Sequence, residues 1–296
     1  MINKLANLDR RWVFLAMALA VALPILFGLR VPEAPTEMTR ITFNIIDNLP
    51  PGSKILIAMD YDPPGKSELD PMAAAITRHA AKKGHKLIFL TLWPAGPQFI
   101  DQLERILREE FPDYQYGRDY VDLGFKTGNE GVIKVIVNDL RRTFPTDADG
   151  HSLDELPLTA DMRNIREIDL LVSISGGVPG AKEWIQYAST PYEIPTIAGV
   201  TGVQTPLFIA YYPGQLQGLL GSIKAAAEYE ALLLQEYPEL AKVPPAQRVK
   251  GLPPPASTLN EAQRRMGPQL VAHLLMIGLI ILGNVAFFLN RRGASR

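Results

Sequence analysis

The chain has 296 residues, a formal net charge of -1 and no cysteine. Near-neutral charge argues against a nucleic-acid binder, which needs a basic stripe to meet phosphates. The missing thiols exclude disulfides, thiolate metal sites and a cysteine nucleophile, and His79, His85, His151 and His273 lack the i+4 spacing of a helical metal pair.

Residues 1–11 form a basic tail, and an uncharged run follows from Trp12 to Leu29. About eighteen residues at ~1.5 Å rise just span a hydrocarbon core of ~30 Å. A cleaved signal peptide competes with this reading, but its apolar region is shorter, about 7–15 residues, and ends at a small-residue site. This run ends in Gly28-Leu29-Arg30-Val31-Pro32, so an uncleaved transmembrane helix over 12–29 is expected. Pro32 and Pro35 stiffen a linker over 30–40.

Strand and helix patterns alternate over a domain at 41–237. Ser53–Asp60, Lys86–Leu92, Tyr120–Phe125, Ile168–Ser175 and Thr196–Val200 read as strands. Helices are expected at Asp70–Lys83, with Pro71 in the first turn, at Pro97–Phe111, at Gly131–Phe144 and around Gly180–Ala188. A long helix is expected at Pro213–Gln235, and Thr146–Asn164 reads as a polar, strandless excursion loop. Such alternation signals βαβ units, hence an α/β, Rossmann-like three-layer sandwich with about five strands in a mostly parallel sheet.

A second stiff linker, 238–262, contains Pro238, Pro244, Pro245 and Pro253-Pro254-Pro255. The expected second transmembrane helix, 263–290, is dominated by Leu, Ile, Val and Phe, with 291–296 as a basic tail. Its polar interruptions read as an interfacial His273 and an Asn284 that bonds a neighbouring helix. Neither hydrophobic segment has the charge pattern of a proton relay, which argues against transport by this chain alone. Lys4, Arg10 and Arg11 on one side and Arg291, Arg292 and Arg296 on the other favour cytoplasmic termini and a domain outside.

In parallel sheets, ligands bind beyond the carboxyl ends of the strands. The candidates there are Asp60, Asp62, Thr91, Ser175, Gly176, Gly177 and Thr201. Asp60 and Asp62, with Thr91 after the next strand, resemble the first two motifs of the haloacid-dehalogenase-type phosphatases. That resemblance covers only these residues. It implies a carboxylate that attacks phosphorus, a second that acts as acid and base, and a metal between them. The chain departs from the family where further acids are needed, reading Ser175-Gly176-Gly177, and Pro63-Pro64 departs from the family's turn. The preferred reading is structural, with both Asp side chains capping the following turn. Ser175-Gly176-Gly177 offers backbone N–H groups to an anion, but neither a Walker loop nor a dinucleotide fingerprint is present.

Ile194–Ile223 contains no charged residue. Within it Gly214, Gly218 and Gly221, followed by Ala225, fall at helical spacing and predict one small-residue face. Such a face packs closely on the domain's own sheet or on another subunit. The sequence therefore leads to the expectation of a two-pass, non-catalytic membrane protein with no cofactor and no resident metal. Its expected partners are the lipid bilayer and a homo-oligomer or other membrane subunits. The alternative is a ligand-binding or phosphoryl-hydrolysing domain that uses the strand-end cleft.

Overall fold

The computed structural model describes residues 9–29, 31, 33–242 and 259–294. The chain divides into two compact units, one of them Glu33–Ala262. This unit is an α/β domain with one six-stranded parallel sheet in the order β3-β2-β1-β4-β5-β6. The strands are β1 (Lys54–Asp60), β2 (Lys86–Thr91), β3 (Tyr120–Phe125), β4 (Leu170–Ser175), β5 (Thr196–Val200) and β6 (Gly218–Gly221). All are parallel, and there is one more strand than the five expected.

The sheet is covered on both faces. On one face Leu56, Ala58, Ile88, Leu90, Val121 and Leu171 meet the helix α5 (Glu130–Ile136) and the short helix α6 (Ala181–Trp184). Helix α6 continues through a π turn, Ile185–Ser189, into α7 (Thr190–Tyr192). On the other face α3 (Lys66–Lys82) packs against β2, β4 and β5, flanked by α4 (Pro97–Glu110) and α9 (Ser222–Glu236). Helix α3 is buried at every residue from Leu69 to Ala81. It starts four residues earlier than expected, as a continuation of a 3-10 turn at Pro63–Gly65. Pro71 therefore stands inside the helix, not in its first turn.

Helix α2 (Glu37–Asp47) begins within the stretch expected to be a linker. Thr36 caps it, and Thr39, Thr42, Phe43 and Ile46 form its buried face. Its start is tied to α9 through Glu228, whose carboxylate accepts from Thr36 N–H (3.0 Å), Thr36 Oγ1 (2.7 Å) and Thr39 Oγ1 (2.6 Å). Burial opposes that charge, but the Lys224 ammonium and the threonine donors outweigh it and hold the carboxyl below its usual range.

The end of α2 is tied to α3 and α9 through His79. The imidazole stacks on Phe43 with ring centroids 4.2 Å apart. Its Nε2 is 3.1 Å from Asp47 Oδ1 and its Nδ1 2.7 Å from the Tyr229 hydroxyl. A neutral ring satisfies both, donating to the carboxylate and accepting from the phenol. Burial drives the His79 pKa down to about 4, against the pull of Asp47.

The excursion over residues 146–164 has no strand, but it is not a solvated loop. Leu153, Leu156, Leu158 and Met162 enter the core cluster under β2 and β3. Arg141 fastens it, donating to the carbonyls of Thr159 (3.2 Å), Ala160 (2.8 Å) and Met162 and to the Asp154 carboxylate (2.5 Å). Ala148 N–H also donates to Asp122 O of β3 (2.8 Å).

The expected face of Gly214, Gly218, Gly221 and Ala225 does not exist. Gly214 lies in an exposed turn, Gly218 and Gly221 bound β6, and only Ala225 is helical. Leu219 and Leu220 are buried between the two glycines, and pairing with β5 outweighs the helical spacing. Gly218 is needed because α2 crosses it: a Cβ there would stand 2.8 Å from Thr42 Oγ1 and 3.0 Å from Ile197 Cγ1.

The second unit contains α1 (Arg10–Leu26) and the part of α10 (Glu261–Ala294) from Gln263 onward. Among the described residues, α10 is the helix long and apolar enough to cross a membrane, over Glu261–Phe288 with mean hydropathy 2.3. Helix α1 has 17 residues, with Pro24 in its last turn. It falls short of the span expected over 12–29. The two helices line an apolar groove of about 580 Å³ that includes Leu19, Leu23, Phe27, Val271 and Leu274. Asn284 donates to Ile280 O of its own helix (3.0 Å), not to a neighbour. Of the prolines expected to stiffen the linkers, Pro35 directly precedes the Thr36 cap and Pro238 opens a 3-10 turn, Pro238–Lys242, while Pro32, Pro244, Pro245 and Pro253–Pro255 lie outside the described residues, as do Lys4, Arg30 and Arg296.

Gly218→Leu should overpack the β6–α2 contact and lower stability by ~1–3 kcal/mol. Gly214→Leu, with open space around its Cα, should leave stability unchanged. Thermal melts of the full chain in detergent compare the two, and equal melting temperatures would contradict the placement of β6.

Candidate functional site

The strand order reverses between β1 and β4, which places the ligand crevice of a doubly wound sheet at the ends of these two strands. All seven expected site residues lie at strand ends or in the loops that follow them, and Asp62 differs from the rest in its surroundings. It is exposed, it makes no side-chain cap, and only its carbonyl holds the turn, accepting from Gly65 N–H at 2.9 Å.

Asp60 ends β1 and is completely buried. Its Oδ1 accepts from Leu92 N–H, just past β2 (2.7 Å), and its Oδ2 from Trp184 Nε1 of α6 (2.7 Å). The expectation that both aspartates cap the local turn is thus corrected. Asp62 caps nothing, and Asp60 reaches across the sheet to a distant helix. Burial pushes the Asp60 carboxyl up to about 7, with Glu183 adding repulsion and the two donors opposing it. Both oxygens are engaged and shielded from solvent, unlike the open carboxylate that the phosphatase resemblance implies.

Thr91 is buried as well. Its hydroxyl donates to Met59 O (2.6 Å) and accepts from Trp93 N–H (3.0 Å). This bond turns the chain after β2 and swings Trp93 across the β4 loop. The indole donates to Pro179 O (2.6 Å) and covers Gly177, where a Cβ would stand 2.7 Å from the ring. Gly177 is glycine because the indole leaves no room for a side chain.

The N–H groups that Ser175-Gly176-Gly177 was expected to offer an anion have internal acceptors. Gly176 N–H donates to Asp60 O (3.0 Å). Gly177 N–H donates to the Gln204 side-chain carbonyl (3.3 Å), whose amide nitrogen donates back to Ser175 O (3.2 Å) in the orientation that satisfies both ends. Ser175 Oγ accepts from Ala181 N–H (3.0 Å), and Gly180 N–H donates to Glu183 Oε2 (2.8 Å). Thr201 stands beside this loop, and its carbonyl accepts from Gln204 and Thr205 N–H (both 3.0 Å).

Tyr61 closes the other side. Its ring stacks on Phe99 at 4.4 Å and 7°, and its hydroxyl donates to Asp70 Oδ1 (2.7 Å). A Cβ on Gly176 would stand 3.1 Å from Tyr61 Cβ, so the chain ends of β1 and β4 are in contact at the switch point. The sequence located the strand ends but missed Tyr61, Trp93, Trp184 and Gln204, the residues that fill the space. Trp93 directly after Thr91-Leu92 was the available signal, since a large ring beside a Gly-Gly loop implies a lid on that loop. Among the described residues, no group of three or more His, Asp or Glu side chains is arranged to hold a metal. Compared with known families and curated proteins, the chain matches none.

Asp60 and His79 shift in opposite directions and should produce opposite pH slopes. Between about pH 4 and 7 folded Asp60 holds a proton that the unfolded chain releases, so its contribution falls as pH rises. Between about pH 4 and 6.5 the unfolded chain binds a proton that folded His79 refuses, so its contribution rises with pH. Each effect is on the order of 3–4 kcal/mol. Asp60→Asn should therefore be less stable than the wild type by a gap that is larger at about pH 4.5 than at pH 7. His79→Gln should show a gap that widens with pH. Urea denaturation of the full chain measures both, and gaps that do not change with pH would contradict the two burial assignments.

Proposed function

We propose that the chain is a membrane-anchored docking subunit of a larger membrane assembly, with a Rossmann-like domain that is not catalytic. The observation that supports this most directly is the filled switch-point crevice. Trp93 covers the loop after β4, Tyr61 packs beside the end of β1, and the Gly176, Gly177, Gly180 and Ala181 N–H groups have acceptors within the chain. The acid best placed for chemistry, Asp60, has both oxygens engaged.

In this reading α10 and α1 are the two anchors. Helix α1 is ~25 Å long at 1.5 Å per residue, and the apolar Phe27 and Leu29 extend it toward the ~30 Å of a hydrocarbon core. Large apolar side chains are exposed along both helices, including Phe14, Leu19 and Ile25 on α1 and Leu274, Ile281 and Phe287 on α10. In a bilayer those surfaces meet lipid or other helices. The basic outer flanks favour cytoplasmic termini and a domain on the far side.

Two measurements test this reading. Protease added to sealed right-side-out vesicles should degrade the α/β domain, whereas full protection would reverse the orientation. Extracted in mild detergent, the chain should sediment well above the 32.7 kDa of one copy after correction for bound detergent. Sedimentation as a single copy with no other subunit would remove the docking role.

A further inference from the structure

The tip of the excursion, residues 146–152, folds back on itself beside β3. Thr146 and Ser152 form an antiparallel bridge, and Asp147 N–H donates to His151 O (2.9 Å). Asp147 is the hub of this turn, and its side chain is fully buried. It accepts from the Tyr116 hydroxyl (2.8 Å) and from His151 N–H (2.8 Å), and His151 Nδ1 lies 3.0 Å from its Oδ2. The imidazole itself is 55% exposed. Ala148 N–H fastens the tip to the sheet by donating to Asp122 O (2.8 Å). The residue that accepts this bond carries an acid with little access to water. Asp122 is 6% exposed, and its Oδ1 accepts from Gly124 N–H (2.7 Å). Three further acids act on it, Asp101 and Glu104 from α4 and Asp149 from the tip. Of the basic groups on α4, Arg108 donates to Glu104 (3.1 Å) and Arg105 Nε to Asp101 O (3.4 Å).

We propose that residues 146–152 are a pH-sensitive latch on β3, closed in mild acid and released as pH rises above neutral, with Asp122 and His151 as its two titrating groups. The latch goes beyond the docking reading and does not depend on it. Both groups push the same way. Protonated, Asp122 adds no charge beside Asp149, and His151 is a cation on Asp147. Burial pushes the Asp122 carboxyl up to about 7, with Gly124 N–H opposing and Glu104, Asp101 and Asp149 adding to the rise. Once ionised, Asp122 repels Asp149 and gains from the water that opening admits. Glu104, pushed up by burial against the pull of Arg108, adds in the same direction. The hydrogen bond to Asp147 and the charge behind it raise the His151 pKa, with Asp149 and Glu155 adding to the pull. Burial opposes charge on Asp147, but the Tyr116 hydroxyl and His151 outweigh it and hold that carboxyl below its usual range. Asp147 therefore stays ionised while its partner loses charge. Asp122 and His151 both bind protons more tightly with the tip closed than with it open, so closure weakens as pH rises. The window opens at about pH 4 for Asp122 and above about pH 6.5 for His151.

Hydrogen exchange of the full chain in detergent, read by mass spectrometry on peptides covering residues 145–153, reports this opening. After correction for the intrinsic exchange rate, protection of the tip should fall about tenfold or more between pH 5 and 8, since one unit of pKa difference is tenfold in the equilibrium. Asp122→Asn combined with His151→Gln should remove the dependence, because neither replacement titrates. Asp149→Asn and His151→Gln, both at exposed positions, should each reduce the fall, which keeps the test open if the buried Asp122→Asn disturbs folding. Equal protection of the wild-type tip at the two pH values would overturn the latch. An undiminished fall in both exposed-site variants would overturn it as well. So would an equal loss of protection in the β1 peptide, residues 54–60, because the whole domain would then be loosening and not its tip.

Discussion

The Asp60 carboxylate holds three elements at the centre of the fold. It sits at the end of β1, fixes the exit of β2 through Leu92 N–H, and fixes α6 through the Trp184 indole. A buried carboxyl group is costly unless its oxygens are matched by donors, and here each oxygen has one. The geometry of α6 follows from that bond. With Trp184 located, Glu183 reaches back to Gly180 N–H, and the loop after β4 closes on Ser175. Replacing one partner would leave another buried polar group unmatched, so the arrangement is held together as a unit.

That closure shapes the carboxyl end of the sheet. In doubly wound folds the strand-end crevice is open and the rim around it shapes access. In this domain Tyr61 packs on Phe99 beside the end of β1 and Trp93 covers the loop after β4, while Val178, Val203, Leu207 and Ile209 are exposed to solvent. A single buried ring, Phe208, anchors the five-residue helix α8 (Thr205–Ile209) while its neighbours Leu207 and Ile209 are exposed.

Strands β3 and β5 match their expected limits, and β1, β2 and β4, read from longer apolar runs, fall within theirs. Strand β6 was misread because it has only four residues, two of them glycine, and sheet pairing is a non-local interaction that no local pattern records. Helix α2 carried a readable signal in the Thr36 cap and the buried spacing of Thr39, Thr42, Phe43 and Ile46, masked by the prolines just before it. At the site, the pattern of the strands indicated where the crevice lies. It could not indicate that Trp93 folds over Gly177 or that Gln204 occupies a backbone donor, because both depend on contacts between loops distant in sequence.

The packed excursion over residues 146–164 also bears on how the protein behaves in a crowd. Strand β3 is an outer strand of the sheet, and a bare outer strand is a template on which another extended chain can add. Ala148 takes the Asp122 carbonyl, and the left-handed Gly124 next to it disrupts the regular pairing line. The opposite border is β6, whose four residues are too few to seed a stable addition. Both borders are therefore blunted by different means, one by coverage and one by brevity. Copies brought close together can then meet through side chains without fusing backbone to backbone into fibres.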